Sequence, residues 1–306
     1  MSQTIFIAGV TGCQGGAVAH HALKKGWTVH GLTRNTDAPA AKALVAQGVR
    51  LFPGDYDNTE VLKQAITGCT AVFIALVPQF HDLPAEVRWT KSILSIAKAA
   101  SVQSAVVSTG LGAGNPEQLT GWKENSVFAQ FMLSKKHVEE AVESSGLPNW
   151  TVLRPGFFMA NFFVPKVSMY PGFRETGIWT TALLAESRLP LVDDLDIGAF
   201  AVAAVEDSDR FAGRKVEVGY DVRTPAEIVD VLSKATGRQP PLRAAFLEGD
   251  ELEQAKESNP LIDGYFAMRD MIQLLDIDQV KAYGIPMATF DEYVQRRIDD
   301  AKTTFL

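Results

Sequence analysis

Three glycines spaced three residues apart end the first apolar run of the chain. The run "TIFIAG" leads into "GVTGCQGG", which gives Gly9, Gly12 and Gly15 in a G-x-x-G-x-x-G pattern. Glycines at this spacing permit a tight turn, a close approach of backbone N–H groups to a pyrophosphate, and close packing of the following helix. A glycine turn without a ligand would show the same pattern, but a strand before it and a helix after it favour a dinucleotide site.

The residue that ends the second apolar run distinguishes between the dinucleotides. A carboxylate at this place binds the ribose hydroxyls of NAD, whereas an arginine binds the 2′-phosphate of NADP. This chain has Arg34 in "LTRNT", so NADP(H) is the expected cofactor unless Arg34 is only a solvated residue. Asp55, after the third run, could reach the adenine, and a turn-forming aspartate would look the same.

A lysine falls on the apolar side of a predicted helix. In "FAQFMLSKKHVEE", Lys135 lies within the stripe formed by Phe128, Phe131, Val138 and Val142. An ammonium group avoids apolar burial unless acceptors surround it, so Lys135 is expected to meet polar groups inside the protein. The alternative is a surface ion pair with Glu139, one turn later.

Alternating strands and helices must position these residues. The strands are predicted at Thr4–Gly9, Thr28–Arg34, Val49–Asp55, Ala71–Leu76, Ser104–Gly110 and Trp150–Gly156, and the helices at Gly15–Lys25, Ala38–Gln47, Thr59–Thr67, Pro84–Ala100 and Val127–Ser145. Such alternation predicts an α/β fold with a doubly wound parallel sheet, a Rossmann domain spanning residues 1–156.

Residues 157–306 are expected to form mostly a smaller α+β substrate-binding region, packed on the carboxyl edge of the sheet. Its predicted helices are Asp196–Val205, Pro225–Thr236 and Gly249–Glu257. Thr224 and Glu227 provide a capping box for the second of these helices, with Pro225 at its first position.

Ligands of parallel sheets bind beyond the carboxyl ends of the strands. The loops expected there are Val77–Asp82, Gly110–Trp122 and Gly156–Phe163. An apolar substrate pocket is predicted from the aromatic residues Trp122, Phe157, Phe158, Tyr170 and Trp179, with Gln79 and Asn161 as polar contacts. Ordinary core packing is the alternative for any single aromatic residue. His81 is either a proton donor or a solvated loop residue.

The composition excludes several classes of protein. The chain has 306 residues, 46% hydrophobic and 21% charged, with a net charge of −7; this acidity and the lack of basic runs argue against nucleic acid or an anionic membrane as partner. The two cysteines and five histidines match no metal-binding spacing. Without a signal peptide or a membrane-spanning run, a cytoplasmic protein with reduced thiols is expected.

Taken together and in order, several motifs resemble the NmrA-like group of atypical short-chain dehydrogenases. The motifs are "AGVTGCQGG", "LTRN", "GDYDN", "SKKHVEEAVESSGL", "WTVLRPGFFMAN" and "DIGAFA". The resemblance implies NADP(H) on a Rossmann domain, but it does not imply one activity. Some members are NADPH-dependent reductases of aromatic or natural-product substrates, and others are nucleotide-sensing regulators.

The resemblance also assigns roles to residues. The cofactor contacts it implies are Gly9, Thr11, Gly12, Cys13, Gln14, Gly15, Arg34, Asp55, Val77, Lys135, Pro155 and Phe158. Lys135 matches the lysine that holds the nicotinamide ribose, but Phe131 stands where short-chain dehydrogenases have the proton-donating tyrosine, and Ser108 or Thr109 only loosely matches their polar helper.

The expected activity is therefore an NADPH-dependent reduction of a hydrophobic small molecule carrying an enone, an imine, an iminium or a related group. Such groups need less proton donation than a simple ketone, so Lys135 or water could serve. The alternative is a regulatory protein that senses NADP(H) and acts through a protein partner.

Overall fold

The computed structural model describes residues 3–79, 81–259 and 262–306. Strands and helices alternate through the first half of the chain, and each ends within two residues of its predicted ends. In chain order, these elements are β1 (Thr4–Ala8), α1 (Cys13–Lys24), β2 (Thr28–Thr33), α2 (Pro39–Ala46), β3 (Arg50–Pro53), α3 (Thr59–Ile66), β4 (Ala71–Ile74), α4 (Ala85–Ala99), β5 (Ser104–Ser108), α5 (Val127–Glu143) and β6 (Asn149–Pro155).

The second half contains shorter elements. They are β7 (Phe157–Phe158), α6 (Phe173–Thr176), β8 (Ile178–Thr181), β9 (Leu189–Val192), α7 (Asp194–Glu206), α8 (Ser208–Phe211), β10 (Arg214–Val218), β11 (Asp221–Arg223), α9 (Pro225–Thr236), β12 (Arg243–Phe246), α10 (Gly249–Ser258), α11 (Ile262–Arg269), α12 (Ile277–Ala282), α13 (Phe290–Arg296) and α14 (Ile298–Phe305). The three predicted helices correspond to α7, α9 and α10. The capping box of α9 is present as predicted.

The main sheet confirms the doubly wound fold. Its seven strands follow the order β10-β6-β5-β4-β1-β2-β3, and the pairings among β1 to β6 are parallel. The chain moves outward in one direction from β1 to β3 and in the other direction from β4 to β6. The carboxyl ends of β1 and β4 therefore flank the point where the strand order reverses, which is where such sheets bind ligands.

Burial explains why these sequences form inner strands. Every residue of β4 and β5 is buried, because helices cover both faces of a doubly wound sheet and leave no solvated side. On one side, α7 approaches α1 closely. A Cβ atom at Gly198, in the "DIGAFA" motif, would lie 2.6 Å from the carbonyl oxygen of Ala17, so glycine is required at this contact.

The chain divides into two compact units. Unit 1 comprises residues 1–114, 131–154 and 194–216, and unit 2 comprises residues 115–130, 155–193 and 217–306. Helix α7 thus belongs to unit 1, although it follows residue 157, and the segment 115–130 belongs to unit 2. The functional division at residue 156 stays a prediction.

Unit 2 has an aromatic core. Phe162 contacts Trp179, with ring centroids 5.1 Å apart, and it also contacts Phe157, Tyr170 and Phe290. Two small sheets belong to this unit, one with the order β11-β9-β7 and the other formed by β12 and β8. No helix within the described part of the chain is long and apolar enough to cross a membrane.

Candidate cofactor-binding site

The turn after β1 is too crowded for any residue but glycine at two positions. Gly9 has a φ of +84°, and a Cβ atom there would lie 2.5 Å from the carbonyl oxygen of Ala75. A Cβ atom at Gly15 would lie 2.2 Å from the carbonyl oxygen of Gly9. The Gly12 N–H closes the turn by donating to the Gly9 carbonyl at 2.9 Å. The backbone therefore forms a narrow turn that feeds directly into α1.

The start of α1 suits an anionic ligand. Its first backbone N–H groups have no acceptors within the helix, and they form the positive end of the helix dipole. The first turn contains no acidic residue. Thr11 and Gly12 are exposed, and Cys13 and Gln14 are half-buried. The Ser108 hydroxyl donates to Gln14 Oε1 at 2.6 Å, which joins β5 to this turn. These residues fit the pyrophosphate of a dinucleotide.

Arg34 and Asp55 follow two neighbouring strands, and they differ in their local contacts. Arg34 comes directly after β2 and is exposed, so its guanidinium is accessible to an anion. Asp55 Oδ1 accepts the backbone N–H groups of Asp57 and Asn58, each at 3.1 Å. Asp55 therefore forms the turn before α3, as the alternative interpretation proposed. Its contact with adenine stays a prediction.

Lys135 points inward, as the sequence predicted. The residue is 6% exposed, and its ammonium group donates to the carbonyl oxygen of Leu76 at 2.9 Å. It also forms a buried ion pair with Glu86. An ammonium group has three N–H donors, and the third has no partner within the described residues. Lys135 is thus fixed just beyond the carboxyl end of β4 with one donor available.

The buried partner of Lys135 was missed in the sequence. Glu86 lies in the first turn of α4 and is 1% exposed, and the Ser134 hydroxyl donates to its Oε2 at 2.7 Å. A signal for it existed, because Glu86 lies on the same helical face as the buried residues Thr90, Ile93 and Ala97. This periodicity predicts that Glu86 is buried, but it does not show which residue Glu86 pairs with.

Glu139 does not pair with Lys135. Its carboxylate binds Arg154 through two N–H groups, Nε at 3.0 Å and Nη2 at 2.6 Å. The Thr109 hydroxyl donates to the same carboxylate at 2.9 Å, and Lys215 Nζ lies 3.6 Å away. The predicted alternative of a surface pair between Lys135 and Glu139 is therefore wrong, since both residues are buried with other partners.

Phe131 lies beside the lysine. The Lys135 ammonium is 5.5 Å from the centre of the half-buried Phe131 ring, a distance suited to a cation–π contact. The ring stabilises the charge of Lys135 but has no hydrogen to donate to a substrate. Any proton needed at this place must come from another group.

The loop after β4 carries three of the predicted residues. Val77 is 68% exposed, which is unusual for an apolar side chain and leaves it accessible to a ligand. Gln79 is half-buried, and its side-chain amide donates to the Val77 carbonyl at 2.9 Å. His81 is exposed. Phe80, which belongs to the same predicted loop, lies outside the described residues.

The remaining predicted residues lie in unit 2. Pro155, Phe157, Tyr170 and Trp179 are buried, whereas Trp122, Phe158 and Asn161 are half-buried. The packing of Phe157, Tyr170 and Trp179 against Phe162 favours the core alternative for these three rings.

Burial raises the pKa of the Tyr170 hydroxyl well above its usual value, and this hydroxyl hydrogen-bonds the Asn161 side chain. Tyr170 also lines a cleft of about 530 Å³ within unit 2. The substrate roles of the other six residues and the cofactor contact of Pro155 stay predictions.

Tyr56 is a second residue that sequence reasoning missed. The Gly9 N–H, in the glycine turn, donates to the Tyr56 hydroxyl oxygen at 2.7 Å, although the two residues are 47 positions apart. No spacing pattern in the sequence predicts this contact, because the two residues lie in the loops of two different βα units.

Comparison with known proteins agrees with the doubly wound fold and identifies the family. The NmrA-like family model matches residues 1–294. The chain belongs to the NmrA-like family. A relative from Xenophilus azovorans, an NAD(P)H azoreductase, is 28% identical over 302 residues, covering 95% of this chain and 96% of that protein.

Two solved structures share the fold of this NmrA-like chain. One is NmrA, described as a negative transcriptional regulator in complex with NADP; it has a TM-score of 0.75 and 19% identity, covering 99% of this chain and 95% of that one. The other is the NADPH-dependent quinone oxidoreductase QOR2 of Escherichia coli in complex with NADPH, with a TM-score of 0.71 and 22% identity, covering 96% of this chain and 99% of that one.

Proposed function

We propose that this chain is an NADPH-dependent reductase of a flat, hydrophobic small molecule whose reducible group is conjugated or cationic, such as an enone, a quinone, an azo group or an iminium. The class of the activity, an oxidoreductase that uses a nicotinamide dinucleotide, is supported by the named activities of its relatives. The finer proposal depends on the residues described above.

The cofactor part of the proposal depends on the crowded glycine turn and on Arg34. Gly9, Gly12 and Gly15, with the N-terminus of α1, would hold the pyrophosphate, and Arg34 would bind the 2′-phosphate. Lys135 would donate its remaining N–H to a hydroxyl of the nicotinamide ribose. Thr11, Cys13, Gln14, Asp55, Val77, Pro155 and Phe158 remain the further proposed contacts.

The observation that carries the substrate class is the environment of Lys135. A bound NADPH supplies a hydride ion to the substrate. A simple ketone would then gather negative charge on one oxygen and would need a proton donor such as tyrosine in the transition state. Phe131 cannot donate, and Lys135 is held by Glu86 and the Leu76 carbonyl. An enone, a quinone or an azo group spreads the charge over several atoms, so its proton can arrive later from water, and an iminium becomes a neutral amine on hydride addition and needs no proton.

A substrate panel tests this proposal. Purified protein is mixed with NADPH and, separately, with quinones, azo dyes, enones, iminium ions and simple ketones, and NADPH consumption is followed by its absorbance. We expect consumption with at least one of the first four classes and none with simple ketones. Turnover of ketones at the same rate, or silence on every class by protein that binds NADPH in calorimetry, would refute the proposal. The variant Lys135→Met separates enzymatic from spontaneous consumption.

Phe131 also favours a second candidate function, that of a regulator that binds NADP(H) without turnover. The solved structure of NmrA, a negative transcriptional regulator in complex with NADP, shares this fold. A regulator of this kind would retain a protein partner in a pull-down according to the ratio of NADP⁺ to NADPH. Turnover in the substrate panel, with no partner that follows this ratio, would exclude the regulatory function.

A further inference from the structure

The Tyr56 hydroxyl reaches the first glycine of the turn. Tyr56 lies in the loop between β3 and α3, and its oxygen accepts the Gly9 N–H at 2.7 Å. Gly9 is confined on its other sides as well, because a Cβ atom on it would lie 2.5 Å from the Ala75 carbonyl oxygen and its own carbonyl accepts the Gly12 N–H. Tyr56 is therefore the one side chain within the described residues that hydrogen-bonds the Gly9 backbone.

Neighbouring residues hold the Tyr56 ring in place. The ring packs against Trp89 of α4, with centroids 5.6 Å apart. The Trp89 indole N–H donates to Asp57 Oδ1 at 2.8 Å, in the same loop as Tyr56. Arg88 pairs with Asp57 and with Asp82. This arrangement joins the loop to α4 and limits the positions that the Tyr56 hydroxyl can take.

The hydroxyl is neutral at physiological pH. Burial is the largest influence on the Tyr56 pKa and raises it, while the Gly9 hydrogen bond and the nearby charge of Arg34 act in the opposite direction. A neutral phenol accepts through its oxygen and keeps one O–H to donate. The Gly9 N–H donates to a lone pair of the Tyr56 oxygen, so the phenol keeps its proton. The turn is therefore held by a neutral group, which would not repel a phosphate.

We infer that Tyr56 is a positioning residue for the pyrophosphate of the dinucleotide, acting through Gly9. This inference rests on the proposed function. Gly9 must hold a left-handed conformation for the turn to pass between β1 and α1, and the Tyr56 hydrogen bond fixes the peptide group that precedes it. Pyrophosphate is common to NADPH and NADH, so Tyr56 contributes equally to both cofactors, whereas Arg34 acts on the 2′-phosphate alone.

The variant Tyr56→Phe tests the inference, because it removes one oxygen and keeps the ring against Trp89. We expect the dissociation constants of NADPH and NADH, measured by calorimetry, to rise by the same factor, about three- to tenfold for one hydrogen bond. Tyr220→Phe, which alters a half-buried tyrosine of unit 2, is the matched control and should change neither. An unchanged affinity for both cofactors, or a loss confined to NADPH, would overturn the assignment.

A second measurement does not depend on cofactor binding. Hydrogen exchange of the Gly9 amide in the unliganded protein should be faster in Tyr56→Phe than in the wild type, with the exchange of β1 and β4 unchanged. Equal protection of Gly9 in both proteins would contradict the contact itself. If the wild type bound neither nucleotide, the proposed function would fail while this exchange experiment still tested the hydrogen bond.

Discussion

Helix α5 carries two buried charged groups one turn apart, and they are held in different ways. Glu139 binds Arg154 through two N–H groups and also accepts from Thr109, with Lys215 nearby. Lys135 has one carboxylate and one carbonyl as partners, and its third N–H donor meets no acceptor among the residues that the structure describes. A buried charge with all its hydrogen bonds satisfied holds a fold together, whereas one with a spare donor can also bind a ligand.

The largest expected effect comes from breaking the Glu139 pair. Arg154→Met should lower the free energy of unfolding by about 3 kcal/mol, because it leaves a buried carboxylate without its main partner. Chemical denaturation measures the loss. Lys234→Met removes an exposed cation paired with Asp230 and should cost no more than about 0.5 kcal/mol. If Arg154→Met lowered the free energy of unfolding by no more than Lys234→Met does, the buried Glu139 pair would not be a stabilising part of the fold.

Next in size is the effect of removing Lys135. Lys135→Met should reduce turnover of a conjugated substrate by about 100-fold, because the nicotinamide ribose loses the donor proposed to position it and misplaced reacting groups cost about that much. It also leaves Glu86 buried and unpaired, so the double variant Lys135→Met, Glu86→Gln should regain thermal stability without regaining turnover. Turnover within twofold of the wild type would make Lys135 a structural residue like Glu139.

Arg34 is exposed, unlike Lys135 and Glu139, so its substitution leaves no buried charge behind. Arg34→Ala should raise the dissociation constant of NADPH at least tenfold, since a charge-assisted hydrogen bond contributes about 1.5–3 kcal/mol, while that of NADH changes less than twofold. Calorimetry with each nucleotide measures both, and the melting temperature should not change. Equal losses for the two nucleotides would contradict the assignment of Arg34 to the 2′-phosphate.

The smallest effects separate the two hydroxyl groups that support the pairs. Ser134 donates to Glu86 and Thr109 donates to Glu139, so Ser134→Ala and Thr109→Val should each lower the free energy of unfolding by about 1–2 kcal/mol. Only Ser134→Ala should also weaken NADPH binding, because Glu86 positions Lys135. Binding losses of the same size in both variants would mean that the two pairs have the same role.

Much of this arrangement was readable in the sequence. Apolar runs and glycine spacing predicted the sheet, the turn at Gly9 and the inward direction of Lys135, because strand burial and helix periodicity leave a local trace in the chain. The family resemblance added the expected role of Lys135 at the nicotinamide ribose and the significance of Phe131. These are features that one segment encodes by itself.

What the sequence did not predict depends on contacts between distant segments. Glu86 is 49 residues from Lys135, and Tyr56 is 47 residues from Gly9; neither distance follows from a local pattern. For the Trp179 ring, a substrate pocket and the ordinary core were both open; the ring is fully buried in unit 2. The local sequence around an aromatic residue in a loop-rich segment is the same whether the ring lies in the core or in a binding site. Only the packing in the folded protein distinguishes the two.

Helix α4 touches both groups that are proposed to serve the cofactor. Glu86 and Trp89 are three residues apart and therefore nearly one turn; the first holds Lys135 and the second packs against Tyr56. Rotating or sliding this helix would displace the two contacts together. If Lys135 holds the nicotinamide ribose and Tyr56 positions the pyrophosphate, as proposed, a substitution that tilts α4 would weaken both contacts with the dinucleotide at once.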